Sequence, residues 1–164
     1  MKLNGLIYEL PKELKLLIAA FVIVLSIGFY TGLLFVGETT SNNPSGIQEH
    51  YLGNEQDDSA TIMKFRKSEQ EMLTLVHNHI LSMSIIFFLT GLLLSITSFN
   101  MKLKLFLMIE PFFSVLLTFG GLFFLWKGIA WMTYVVMFSG TLMTLSFVFS
   151  TIIIFVQLFR KHKK

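Results

Sequence analysis

Four apolar runs dominate the chain, at about residues 14–36, 73–97, 105–126 and 130–159. Each holds at least ~20 residues, enough for a helix rising about 1.5 Å per residue to cross a hydrocarbon core of ~30 Å. In lipid the backbone has to satisfy its own hydrogen bonds, so these runs predict membrane-spanning helices. The second and third spans are joined by "SFNMKLK" and the third and fourth by "KGI". Joints that short force antiparallel neighbours, so the expected fold is an all-α, integral membrane, up-down four-helix bundle over residues 1–164. The first joint differs. It is a long outer loop, residues 37–72, that opens on the turn formers "GETTSNNPSG" and is expected to be irregular there. From about Ser59 a stripe appears at spacings of three and four: Ile62, Phe65, Glu69, Met72, Val76, His79 and Met83. It predicts one helix over about residues 60–98, starting outside the membrane, with its apolar face covered.

Composition strengthens the membrane reading. The chain of 164 residues is 54% hydrophobic and contains 18 phenylalanines. It has no cysteine, which excludes a disulfide framework, a thiolate metal site and a cysteine nucleophile. The net charge of +3 is modest and the basic residues are clustered, which argues for membrane orientation and against nucleic-acid binding. One side of the bundle would carry Lys2, Lys12, Lys15, Lys102, Lys104, Arg160, Lys161, Lys163 and Lys164; the other would carry Lys64, Arg66, Lys67 and Lys127. Nine against four predicts both termini on the cytoplasmic side, with "RKHKK" as an anchor. The first span is too long for a signal-peptide core and lacks a small-x-small cleavage site, so it is read as uncleaved. Gly28 and Gly32, and the Gly120–Gly121 pair, are candidate points of close helix approach. Tyr30, Trp126, Trp131 and Tyr134 cluster at the outer ends of spans as an aromatic belt would.

The stretch "EMLTLVHNHILSMS" carries the candidate chemistry. His77 and His79 are two residues apart, about 200° around a helix, so one face cannot chelate with both. His77 shares its stripe with Gln70, Thr74, Ser84, Gly91 and Ser95, small and polar residues of the kind that face other helices. His79 shares its stripe with Met72, Val76, Met83 and Ile86 and is expected to face lipid, a neighbouring helix or a second protomer. The candidate site is therefore His77, His79, His50 and Glu71, on the outer side. Its structural alternative is a pair of interfacial histidines bonded to backbone or headgroups. Haem b needs two axial ligands, and no other span contains a histidine; His50, a methionine or a second copy would have to supply the second. Copper is comparable through Met72, His79 and Met83. Zinc needs three or four converging ligands, which the spacing does not assemble. A quinone needs no second axial ligand. Glu110, beside Pro111 in the third span, lies near the opposite boundary and is expected to pair with Lys102 or Lys104 or to snorkel.

The segments "EHYLGNE", "MKFRKSEQEML" and "HNHILSMSIIFFLTGLLL" resemble a family of small four-span bacterial inner-membrane proteins with HY-x-GNE, KS-x-x-E and H-x-H motifs, over about residues 46–94. The resemblance implies a multi-pass protein of the bacterial inner membrane and marks His50, Tyr51, Gly53, Asn54, Glu55, Lys67, Glu71, His77 and His79 as travelling together. It implies no reaction. This chain departs from the pattern at Arg66, where the family carries proline. The function expected is a ligand-binding or accessory membrane protein. The alternatives are an assembly subunit with a membrane-protein partner or a second copy, and a proton-coupled transporter. A hydrolytic enzyme is the weakest class, since no nucleophile–base spacing appears.

Overall fold

The computed structural model describes residues 5–57 and 61–160. It is helical throughout its regular elements: a short 3-10 turn (Leu6–Tyr8), α1 (Lys12–Thr40), α2 (Pro44–Leu52), α3 (Glu69–Ser95), α4 (Met101–Trp126) and α5 (Met132–Phe159). Of these, α1, α3, α4 and α5 are each long and apolar enough to cross a membrane. They are the four expected spans: α1 is longer at both ends, α3 and α4 each start four residues earlier, α3 ends two residues earlier, and α5 starts two residues later. The "RKHKK" tail beyond Arg160, Lys2 and the residues around Ser59 lie outside the described residues.

The centre of the bundle is α4. It packs along α5 and α3, and α1 touches chiefly α5 and α2. Close approach of α4 and α5 depends on Gly121, where an added Cβ would stand 2.9 Å from Val136 Cγ2. The pair expected to bring α1 close does not: nothing lies within 4 Å of where Gly28 or Gly32 would carry a Cβ. What anchors α1 is aromatic. Phe29 stacks on Phe147 of α5 with ring centroids 4.0 Å apart, and Phe87 of α3 meets the same ring edge-on at 6.3 Å.

One end of the bundle is capped by residues 41–57 and 61–68. Two expectations for this segment need correcting. First, "NPSGIQEHYL" is not irregular but forms α2, because Asn43 accepts from the Gly46 amide as an N-cap and Pro44 occupies the first helical turn. Second, the helix predicted over residues 60–98 begins only at Glu69. Ser68 and Glu71 form a capping box, each side chain accepting from the other residue's amide, which defines a start rather than a passage. Residues 63–68 are instead drawn out beside α2. Asn54 holds them by three bonds: its amide donates to Lys64 O (2.9 Å), its side chain donates to Ile62 O (3.0 Å), and its Oδ1 accepts from the Lys64 amide (2.6 Å). The Lys67 amide donates to Tyr51 O at 3.2 Å. Ile62 and Phe65, expected to be covered, are 72% and 70% exposed, whereas Met72 of the same stripe is fully buried.

The opposite end is closed by a second polar clasp. Gln157 Oε1 accepts from the Ser98 amide (2.6 Å) and from Tyr8 Oη (3.1 Å), and its Nε2 donates to Ser98 O (2.9 Å). The Lys104 ammonium, buried, donates to Ser95 O (3.1 Å) and Thr97 O (2.9 Å), the carbonyls that α3 leaves at its C-terminus.

Candidate functional site

The four candidate residues sit at or near the capped end, and the structure treats each differently. His50 lies on α2, half-buried, its ring edge-on to Tyr51 at 4.8 Å. Partial burial, helped by the positive charges of Lys67 and Lys64, holds its imidazole below the usual histidine value. Burial likewise pushes the Tyr51 phenol up to about 12. Both therefore act here as neutral packing groups at neutral pH.

The residues that resemble the family's motif turn out to build the cap. Gly53 has φ +81°, and a Cβ on it would stand 2.6 Å from the Arg66 amide, so only glycine fits where the chain turns back. Asn54 makes the three bonds described above. Glu55 Oε1 accepts from the Arg66 amide at 3.2 Å. The Arg66 guanidinium donates to Trp126 O (2.7 Å) and lies over the Trp126 ring (5.2 Å to its centroid), while Trp126 Nε1 donates to Lys67 O (2.8 Å). Residue 66 thus contributes twice, its amide tying it to Glu55 within the cap and its guanidinium tying the cap to α4.

On α3 the His77 stripe is expected inside and His79 toward lipid, a neighbouring helix or a second protomer; the structure sets His79 against the neighbouring α4 and buries Gly91, but turns His77 outward. The stripe Met72, Phe87 and Leu94 is the buried one, with Met83 packed against it, and His79 lies at its edge. His79 stacks on Phe119 of α4 with centroids 4.6 Å apart, although the residue as a whole stays exposed. His77, expected inside, is exposed, as are Gln70, Thr74 and Asn78 on the same outward sector. The reason is volume. Large apolar side chains fill the space between α3 and α4, and the small polar residues at this end are left outside.

His79 Nδ1 is 2.8 Å from Leu75 O. A carbonyl only accepts, so Nδ1 carries the hydrogen, and in the neutral ring Nε2 is left as an acceptor. Beside it runs an open groove of about 440 Å³, lined by Lys67, Ser68, Gln70, Glu71, Thr74, Leu75, Asn78 and His79. Two of the four candidates, Glu71 and His79, thus share one groove; His50 and His77 are not part of it. One Glu71 oxygen is already engaged by Ser68. Among the described residues, no three His, Cys, Asp or Glu side chains converge as a metal set. Asn78 was missed as a site residue and Lys67 was marked only through the resemblance, though Lys67, Glu71, Thr74 and Asn78 recur at intervals of four, three and four, a polar stripe visible in the sequence.

Glu110 is not paired with lysine. It is buried between α4 and α5, one carboxylate oxygen accepting from Ser114 of its own helix and the other from Ser146 of α5. One turn further along the same seam, Thr118 and Ser139 hydroxyls bond at 2.7 Å.

A family model described as a transmembrane helical domain matches residues 41–164. No curated protein and no solved structure matches the chain.

Proposed function

The chain belongs to that transmembrane helical domain family, and from this premise we propose that it is an accessory membrane protein that binds a small amphipathic ligand at the groove on α3. The observation that supports this most is His79. Its ring is held by Leu75 O and Phe119, and it offers Nε2 as an acceptor beside the amide groups of Gln70 and Asn78. A ring hydroxyl, as in a quinol, is the donor such a nitrogen takes. A quinol needs no second protein ligand, which favours it over haem or copper. The ring portion would lie against the apolar flank of the bundle, in the leaflet that the capped end faces. In this reading that leaflet is the non-cytoplasmic one and both termini are in the cytoplasm, which the basic residues at the opposite end support. A bacterial inner membrane is the membrane proposed, supported by the resemblance.

A photoreactive quinol analogue, added to protein in lipid nanodiscs, should label α3. His79→Ala should reduce labelling about tenfold, a loss of the ~1.4 kcal/mol that one polar contact supplies. His77→Ala should leave it unchanged. Full labelling of His79→Ala would sink the ligand reading. A second reading, an assembly subunit, is favoured by one feature: a cap fastened to α4 that displays Ile62, Met63 and Phe65 on its surface. Stoichiometric co-purification with one membrane protein, lost on Phe65→Ser, would support it.

A further inference from the structure

We propose that the capped third of α3 is a self-association seam at which a second copy of this chain pairs in the membrane. Two observations meet there. The first is exposure. Thr74, His77, Asn78 and Ser82 all lie on one outward sector of α3, and all are exposed. The second is depth. Trp126 Nε1 bonds Lys67 O, so the start of α3 is level with the end of α4. His79 stacks on Phe119, seven residues earlier on α4, which puts it about 10 Å below that level at 1.5 Å per residue. His77 and Asn78 are its neighbours. Exposed Trp131 and Tyr134 at the start of α5 fit an interfacial belt near that level, so in this proposal these polar side chains lie inside the hydrocarbon region, turned away from their own bundle.

Ser82 bonds Asn78 O on its own helix at 2.7 Å and needs nothing more. The Asn78 amide and the His77 ring make no such bond. An amide or imidazole facing lipid without a partner is costly, and interhelical pairing is the usual remedy. A second copy fits better than an unlike partner because of the donor count. A carboxamide and a neutral imidazole each carry one donor face and one acceptor face, so each complements itself. A twofold axis along the membrane normal sets like residues opposite one another at the same depth. No formal charge lies on this sector at that depth to oppose it. Below the polar residues the sector continues as Leu81 and Ile85, both exposed and apolar, able to pack in the same seam. The pairing would also wall in the groove, whose lining comes wholly from residues 67–79.

The absence of native cysteine makes the test direct. Thr74→Cys and Leu81→Cys are each placed singly, and native membranes are treated with copper phenanthroline without added ligand. Both should give a disulfide-linked species of twice the chain's mass. Phe113→Cys and Phe138→Cys, exposed on other faces, should not. Adding Asn78→Leu should lower cross-linking of both positions about tenfold, with protein levels unchanged. Equal cross-linking at the four positions would overturn the seam. So would adducts of another mass, or an Asn78→Leu background that cross-links as well as the parent. Because no quinol analogue is present, the outcome is independent of whether the groove binds one.

Discussion

Gly53 and His50 show how much of the capped end rests on single residues. Gly53→Ala would need a left-handed backbone and would drive a Cβ into the Arg66 amide, so a loss of about 1–3 kcal/mol is expected, confined to the cap. Hydrogen exchange should rise across residues 50–67 and stay unchanged in α4 and α5. For His50 the folded-state value lies below the unfolded one, through desolvation first and then Lys67 and Lys64. The unfolded cap then binds more protons than the folded one as pH falls through the ordinary histidine value of 6.5. The cap is accordingly stable at neutral pH and weakens on acidification. The protection factors of the same amides, exchange being divided by its intrinsic rate at each pH, should be lower at pH 5 than at pH 7.5, and His50→Gln should flatten the difference. A cap that tightens on acidification would contradict the sign.

At the scale of the elements, α4 and α5 owe their register to polar bonds within an apolar seam. Glu110→Ala removes the acceptor shared by Ser114 and Ser146 and should cost about 1 kcal/mol, read as a lower midpoint in denaturing-detergent titration. Glu110→Gln keeps an oxygen for one serine and should retain about half of that. Equal loss in both would show that the serines do not need the carboxamide oxygen. The spans themselves were legible in the sequence because an apolar run of that length has one solution in lipid. The cap was not, because its order depends on pairs far apart in the chain, Asn54 with Lys64 and Trp126 with Lys67. The capping-box spacing of Ser68 and Glu71 was present in the sequence, yet the apolar stripe that runs through it masked the helix start. The outward turn of His77 has a similar origin: periodicity separates two faces but does not say which one a neighbouring helix will cover.

For the molecule as a whole, two polar clasps hold an apolar bundle from its ends. The sides proposed for them rest on the basic residues, and an impermeant thiol reagent on intact cells tests the proposal. Ser45→Cys in α2 should label from outside and Ser98→Cys only after permeabilisation. Labelling of both from outside would reverse or break the topology. Of the candidate site, the sequence indicated the region and two groove members, Glu71 and His79. Lys67 was marked only through the resemblance, and Asn78, though on the same polar stripe, went unread between two histidines.

The clasp at the uncapped end also sets an order of events during biogenesis. Ile7 donates from its amide to Ile96 O at 3.2 Å, and Tyr8 donates to Gln157. The turn Leu6–Tyr8 is made before any span, yet its partners Ile96 and Gln157 arrive only with the close of α3 and the last turn of α5. Until then this turn is held to α1 by Lys15, which donates to Tyr8 O, and α1 has α2 as its neighbour. The clasp is thus closed by the last turn of α5, and a chain stalled before Gln157 would lack it.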